Sequence, residues 1–174
     1  MSRREDDIIM TLGDYVDLLM DKKVVNIGRI KDIIWIDFKE ITDEKNAIWR
    51  LDIQATCRIV NAENKEIILA SSDIFQPNDQ IRKKEDFNCD FDWKVPGNNL
   101  FDEKAKKWLE KNNDLHIKES IVNLWGDLRI IFSNGDRLEV YVNTSEYVEC
   151  WRLLEKNREN KIHLVITGLG WEEI

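Results

Sequence analysis

The side chains that could do chemistry are few: two histidines and three cysteines in a chain of 174 residues. His116 and His163 alone titrate near neutrality without help from their surroundings. Cys57, Cys89 and Cys150 are odd in number and widely spaced, so no disulfide framework is expected, which suits a reducing compartment. Cys150 with His163 is a nucleophile–base pair that can be written down, and nothing in its spacing lifts it above chance. No Gly-x-Ser-x-Gly, phosphate-binding loop or His-Glu-x-x-His occurs. Asp90, Asp92, Asn98, Asn99 and Asp102 gather oxygens but miss the spacing of a twelve-residue calcium loop. They read better as a polar loop and a helix start, with Asn99 or Leu100 near the cap and Asp102 in the first turn. Gly168-Leu169-Gly170 reads as a turn. The expectation is a protein that is not an enzyme and holds no metal or cofactor.

Two Trp-Arg pairs carry the next possibility. Neighbours on a strand point to opposite faces, so Trp49-Arg50 and Trp151-Arg152 each bury one member and expose the other. The structural reading puts the tryptophans in the core and pairs each arginine with a carboxylate such as Glu149. The functional reading makes Arg50 and Arg152 anchors for a ligand carboxylate, with His163 lining the same pocket. It requires both arginines on one face of one sheet.

Charge points towards a partner. The formal net charge is −8 and the pI about 4.9. Such a surface repels phosphate backbones and anionic lipid, so neither nucleic acid nor membrane is expected, whereas a basic protein is attracted. The stretch from Asp79 to Asp92, with Glu85, Asp86 and Asp90, is the expected docking surface, although Arg82-Lys83-Lys84 interrupts it. No apolar leader region or membrane-length run is present, so a soluble, cytoplasmic protein is expected.

The elements that must position these residues are mostly strands. Trp49, Leu51, Ile53, Ala55, Cys57 and Ile59 alternate with Arg50, Asp52, Gln54, Thr56 and Arg58. A period of two predicts one strand of roughly 36 Å at ~3.3 Å per residue, with a buried face and a wet face. The wet face argues for an antiparallel sheet covered on one side. Val24–Ile30 and Ile33–Phe38 read as two strands or one bent strand, and further strands are predicted over Glu66–Ala70, Tyr147–Leu154 and Ile162–Thr167. Short helices are predicted over Leu12–Met20 and Phe101–Lys111, and a loop over Lys39–Asn46. From Ser71 to Asn99 there is little periodicity.

The hairpin around Ser133-Asn134-Gly135 can be registered from sequence. A three-residue loop with Gly135 left-handed sets Ile130 opposite Leu138, Leu128 opposite Val140 and Arg129 in ion-pairing position opposite Glu139. A two-residue loop mixes core with surface. The predicted fold class is α+β: one antiparallel sheet-dominated domain over residues 1–174, with two short helices.

Several blocks, taken in order, resemble a family of small uncharacterised bacterial proteins. They are Ser71-Ser72-Asp73, Asp92-Trp93-x-x-Pro96-Gly97-Asn98-Asn99-x-Phe101-Asp102, Gly126-Asp127-Leu128, Ser133-Asn134-Gly135-x-x-Leu138-Glu139-Val140, Glu149-x-Trp151-Arg152-Leu153 and His163-x-Val165-x-x-Gly168. Tyr141-Val142-Asn143 departs from the more hydrophobic, proline-containing run expected after the hairpin. Some similar proteins are encoded beside secreted toxins and treated as immunity proteins. The resemblance thus implies a non-enzymatic protein that binds and neutralises a toxin; the alternative is a small-ligand-binding or regulatory domain. Within these blocks Asp73, Trp93, Asn99, Asp102, Glu149, Trp151, Arg152 and His163, with Arg50, form a polar cluster open to a ligand role or a structural one.

Overall fold

A computed structural model of the chain describes residues 10–40, 48–84, 91–156 and 162–174. The strands of a first sheet are β1 (Lys23–Ile30), β2 (Ile33–Lys39), β3 (Ile48–Ile53), β9 (Glu149–Lys156), β10 (His163–Thr167) and β11 (Gly170–Glu173), adjacent in that order. Those of a second are β5 (Glu66–Ala70), β4 (Thr56–Asn61), β8 (Asp136–Tyr141), β7 (Leu128–Phe132) and β6 (Ile117–Val122), again in spatial order. Every pairing is antiparallel. The helices are α1 (Leu12–Asp17), the single turn α2 (Asp79–Arg82) and α3 (Leu100–Lys111), with a 3-10 turn at Ser71–Phe75.

The predicted alternation of burial holds through its whole length. Trp49, Leu51, Ile53, Ala55, Cys57 and Ile59 are all buried, while Gln54 and Thr56 are exposed and Arg50 and Arg58 half-buried. The single strand does not hold. At Gln54 and Ala55 both backbone N–H groups donate to the Cys150 carbonyl, each at 2.8 Å, and the chain turns a corner from the first sheet into the second. The inward side stays inward around such a corner, so periodicity alone cannot reveal it. Inward side chains of both sheets, among them Leu51, Trp151, Ile59, Ile130, Phe132 and Leu138, join one hydrophobic core.

Local chemistry accounts for the other elements. Thr11 caps α1 reciprocally: its hydroxyl accepts from the Asp14 N–H at 3.3 Å and the Asp14 carboxylate accepts from the Thr11 N–H at 2.7 Å. That helix ends at Asp17 rather than Met20 and lies on β6, where the Ser120 hydroxyl donates to the Val16 carbonyl. Asn99 caps α3, whose apolar side, read from its spacing as Phe101, Ala105, Trp108 and Leu109, buries the first three fully and Leu109 in part. In the β7–β8 hairpin Ile130 faces Leu138 and Leu128 faces Val140 around a left-handed Gly135 (φ +86°), the predicted register. The predicted Arg129–Glu139 ion pair does not form. Glu139 takes Arg58 of β4 instead, at 2.7 Å.

Two strands escape the sequence pattern. β6 carries a bulge between Ile117 and Glu119 that breaks its alternation. β11 is four residues of Gly-Trp-Glu-Glu without a β-branched side chain.

Candidate functional site

Arg50, Asp52, Arg152 and His163 all project from the outward face of the first sheet. The register sets Asp37 opposite Arg50, Asp52 opposite Arg152, and His163 opposite Leu154. The same-face condition for the two arginines is therefore met. Each guanidinium is nevertheless already satisfied. Arg50 binds Asp37 through Nε at 2.6 Å and Nη2 at 2.7 Å, and stacks 4.5 Å above the Trp35 ring. Trp35 in turn lies flat over Gly28, where a Cβ would collide with the ring. Arg152 grips Glu149 through both Nε and Nη2, and its Nη1 lies 3.4 Å from His163 Nε2. Asp52 sits among these charges half-buried. Burial pushes its carboxyl up, and the charges of Arg50, Arg152 and Lys156 offset that only in part. Trp151 points into the core, where its Nε1–H donates to the Gly126 carbonyl at 2.7 Å. The structural reading of both Trp-Arg pairs thus holds: tryptophan inward, arginine on a carboxylate.

The two described thiols are placed against nucleophilic chemistry. Burial pushes Cys57 up to about 12 and also raises Cys150. His163 faces Leu154, four residues along β9 from Cys150, or about 13 Å at ~3.3 Å per residue. The Cys150–His163 pair does not form. Cys89 lies outside the described residues. No cluster of three or more His, Cys, Asp or Glu side chains placed to hold a metal occurs among the described residues.

A second polar group closes around the start of α3. Arg29, its side chain 3% exposed, binds Asp102 through Nε at 2.8 Å and Nη2 at 2.9 Å. Its Nη1 donates to the Lys31 carbonyl and its Nη2 also to that of Trp93. Asn99 donates to the same Trp93 carbonyl and accepts from the Asp102 N–H, while Asp102 accepts from Gly97. The Trp93 ring packs edge-on against Phe75, centroids 5.0 Å apart. Asp73 accepts from the Ala70 N–H and from Lys104 of α3. The polar cluster named from sequence is thus two separate constellations. Asp73, Trp93, Asn99 and Asp102 tie loops to α3, with Arg29 as the hub that sequence reasoning missed. Arg50, Glu149, Arg152 and His163 belong to the sheet face.

Of the acidic stretch, Asp79 and Asp92 are exposed. Asp79 opens α2, and Asp92 accepts from the Lys94 N–H at 2.9 Å. Glu85, Asp86 and Asp90 lie outside the described residues. Two clefts of about 430 and 460 Å³ flank α3, one beside Asn78, Gly97 and Glu103, the other beside Asn61, Trp108 and Asp136. Neither is lined by Arg50, Arg152 or His163.

What stands open is one end of the two-sheet body. Three connections meet there: the β6–β7 turn, the β8–β9 loop and the β10–β11 turn. Gly126 packs on Ile166 and Val142, Asp127 accepts from the Val142 N–H at 2.8 Å, and Gly168 lies so close that a Cβ would collide with the Thr144 and Glu146 carbonyl oxygens. These connections carry Leu124 at 98% exposure, Trp125 at 76%, Leu169 at 68% and Tyr147 at 67%, with Val148 and Trp171 partly exposed alongside. Asp127, Glu146, Glu172 and Glu173 lie in the same segments, which contain no lysine or arginine. Sequence reasoning missed this surface. The available signal was Leu124-Trp125: two large apolar neighbours in a turn between strands cannot both reach a core.

Comparison with protein-family models, curated proteins and solved structures finds no match. No helix among the described residues is long and apolar enough to cross a membrane.

Proposed function

We propose that this protein is a non-enzymatic binding module whose partner is a basic protein, and that it docks through the open loop end. The observation that carries this reading is the set of five exposed apolar side chains on three touching connections, with Trp171 of β11 beside them, in segments that carry acids and no lysine or arginine. Contiguous apolar surface on a folded chain marks a binding surface, and Trp and Tyr are the residues that most often dominate binding energy. Surrounding carboxylates speed encounter with a basic surface and disfavour acidic competitors. The Asp79–Asp92 stretch fits less well, because Arg82, Lys83 and Lys84 mix its charge. The paired arginines of the first sheet weigh against a ligand-carboxylate site, since each would have to leave its own carboxylate.

The resemblance to immunity-type proteins and the net charge of −8 favour a toxin domain as the partner, its basic active site occluded in the cytoplasm. Co-expression with the adjacent reading frame tests this. The wild-type chain rescues growth, Leu124→Ser with Trp125→Ala does not, and Asp79→Lys with Asp92→Lys still does. Rescue that survives the loop-end changes and is lost on charge reversal moves the interface to the acidic stretch. Absence of rescue by the wild-type chain removes the immunity reading.

A further inference from the structure

Building on that docking surface, we infer that the partner adds an extended, lysine- or arginine-bearing segment as a new strand along the free edge of β11. Two sheets present four edge strands, and the chain covers three of them. β1 is engaged at its start by the Val24 N–H bond to the Leu115 carbonyl at 2.8 Å and flanked by α3. β6 is covered by α1, and β5 by α3 and the 3-10 turn. β11 is met only by the Tyr15 side chain of α1 and by Tyr147, and nothing among the described residues lies on its outer backbone. The Ile174 N–H donates to the His163 carbonyl at 2.9 Å, so bonds to β10 fall on residues 170, 172 and 174 by antiparallel alternation. Trp171 and Glu173 therefore turn their N–H and C=O groups outward, where they meet no partner in the described chain.

The side chains beside this edge select the occupant. Glu172 on the outward face accepts from the Tyr147 hydroxyl, and Glu173 on the inward face accepts from Tyr15. Phenols leave both carboxylates without a cation, and no lysine or arginine of the described chain pairs with either. A carboxylate on each face of an open ladder fits an extended segment with basic side chains. The Trp171 ring, edge-on to Tyr15 at 5.9 Å, and the shallow depression beside Tyr147 and Leu169 receive its apolar neighbours. Exposed edges are ordinarily blunted, and β11 is blunted only by shortness and by acids, which repel acidic strands and not basic ones.

A synthetic peptide of alternating lysine and valine is the probe, titrated into the isotope-labelled full chain and followed by amide NMR and hydrogen exchange. The expected result is slowed exchange at the Trp171 and Glu173 amides, with Glu173→Pro weakening the peptide on the order of tenfold. Proline at 173 removes an outward N–H and leaves the β10 ladder intact, and unchanged spectra elsewhere verify the fold. Glu173→Gln keeps the amide and removes only the charge, so it weakens the peptide less. No binding, or binding that leaves these amides or Glu173→Pro unaffected, overturns strand addition. Protection already present in a dimeric, peptide-free protein overturns it too, by assigning the edge to a second copy. If the edge fails while growth rescue still needs Leu124 and Trp125, the docking end stands alone. If rescue ignores those residues, the docking end itself is wrong, whatever the peptide does.

Discussion

The start of α3 and the open loop end are opposites built from similar material. Both are irregular connections holding tryptophan, asparagine, glycine and acids. Around α3 the polar groups are mutually satisfied: Arg29 alone binds Asp102 twice and three backbone carbonyls. At the loop end the backbone is just as closely packed, with Gly168 pressed on the carbonyl oxygens of Thr144 and Glu146, but the large apolar side chains point to water. Burying a polar group demands a partner, so a motif rich in Arg, Asp and Asn is often structural. Leaving a tryptophan in water has no such local remedy, and it is on this set of exposed side chains that the proposed docking surface rests.

Mutations that separate stability from binding sharpen this contrast. Arg29→Ala strands the Asp102 carboxylate and should cost about 3–5 kcal/mol, the scale for breaking a buried ion pair, read from denaturant unfolding. Glu139→Gln loses charge-assisted bonds from Arg58 and Tyr141, and should cost about 1.5–3 kcal/mol at neutral pH. Burial pushes the Glu139 carboxyl up, but the hydrogen bonds from Tyr141 and Arg58 outweigh it and the net shift is downward from 4.5. A lowered folded value means its stabilisation is present above 4.5 and fades as pH falls through the folded value, so the mutational penalty shrinks in acid.

Asp52→Asn has the opposite sign. Burial raises this carboxyl above 3.8, so the cost of ionising it in the fold begins as pH rises past 3.8 and is fully present above the raised folded value. The variant should be more stable than wild type at pH ~7, by less than about 1 kcal/mol because the site is half-solvated, and the gain should vanish in acid below 3.8. Trp125→Ala should move stability least, within about 0.5 kcal/mol, yet weaken partner binding by about 2 kcal/mol or more. A Trp125→Ala protein that unfolds as easily as Arg29→Ala erases the distinction between the two regions.

What the sequence reveals follows the side-chain period. Strict alternation from Trp49 to Ile59 exposes the inward face and the antiparallel character, and the Gly135 loop exposes its own register, because one-residue slips would swap core for surface. The corner at Gln54 stays hidden because a bent strand and a straight one share the same pattern. The Glu139 pairing is hidden for another reason: a central strand has two neighbours, and the hairpin shows only one. Arg29 carries no local sign of its role, since Asp102 lies 73 positions away. The loop end is legible only as a misfit, in apolar pairs such as Leu124-Trp125 that serve neither face of a strand.

Hydrogen exchange on the complex with the co-expressed basic partner tests the central claim most directly. Protection should appear across residues 123–127, 144–148 and 168–173, with residues 76–84 and 91–99 unchanged. Protection confined to those latter stretches, with the loop end exchanging as in the free protein, would contradict it.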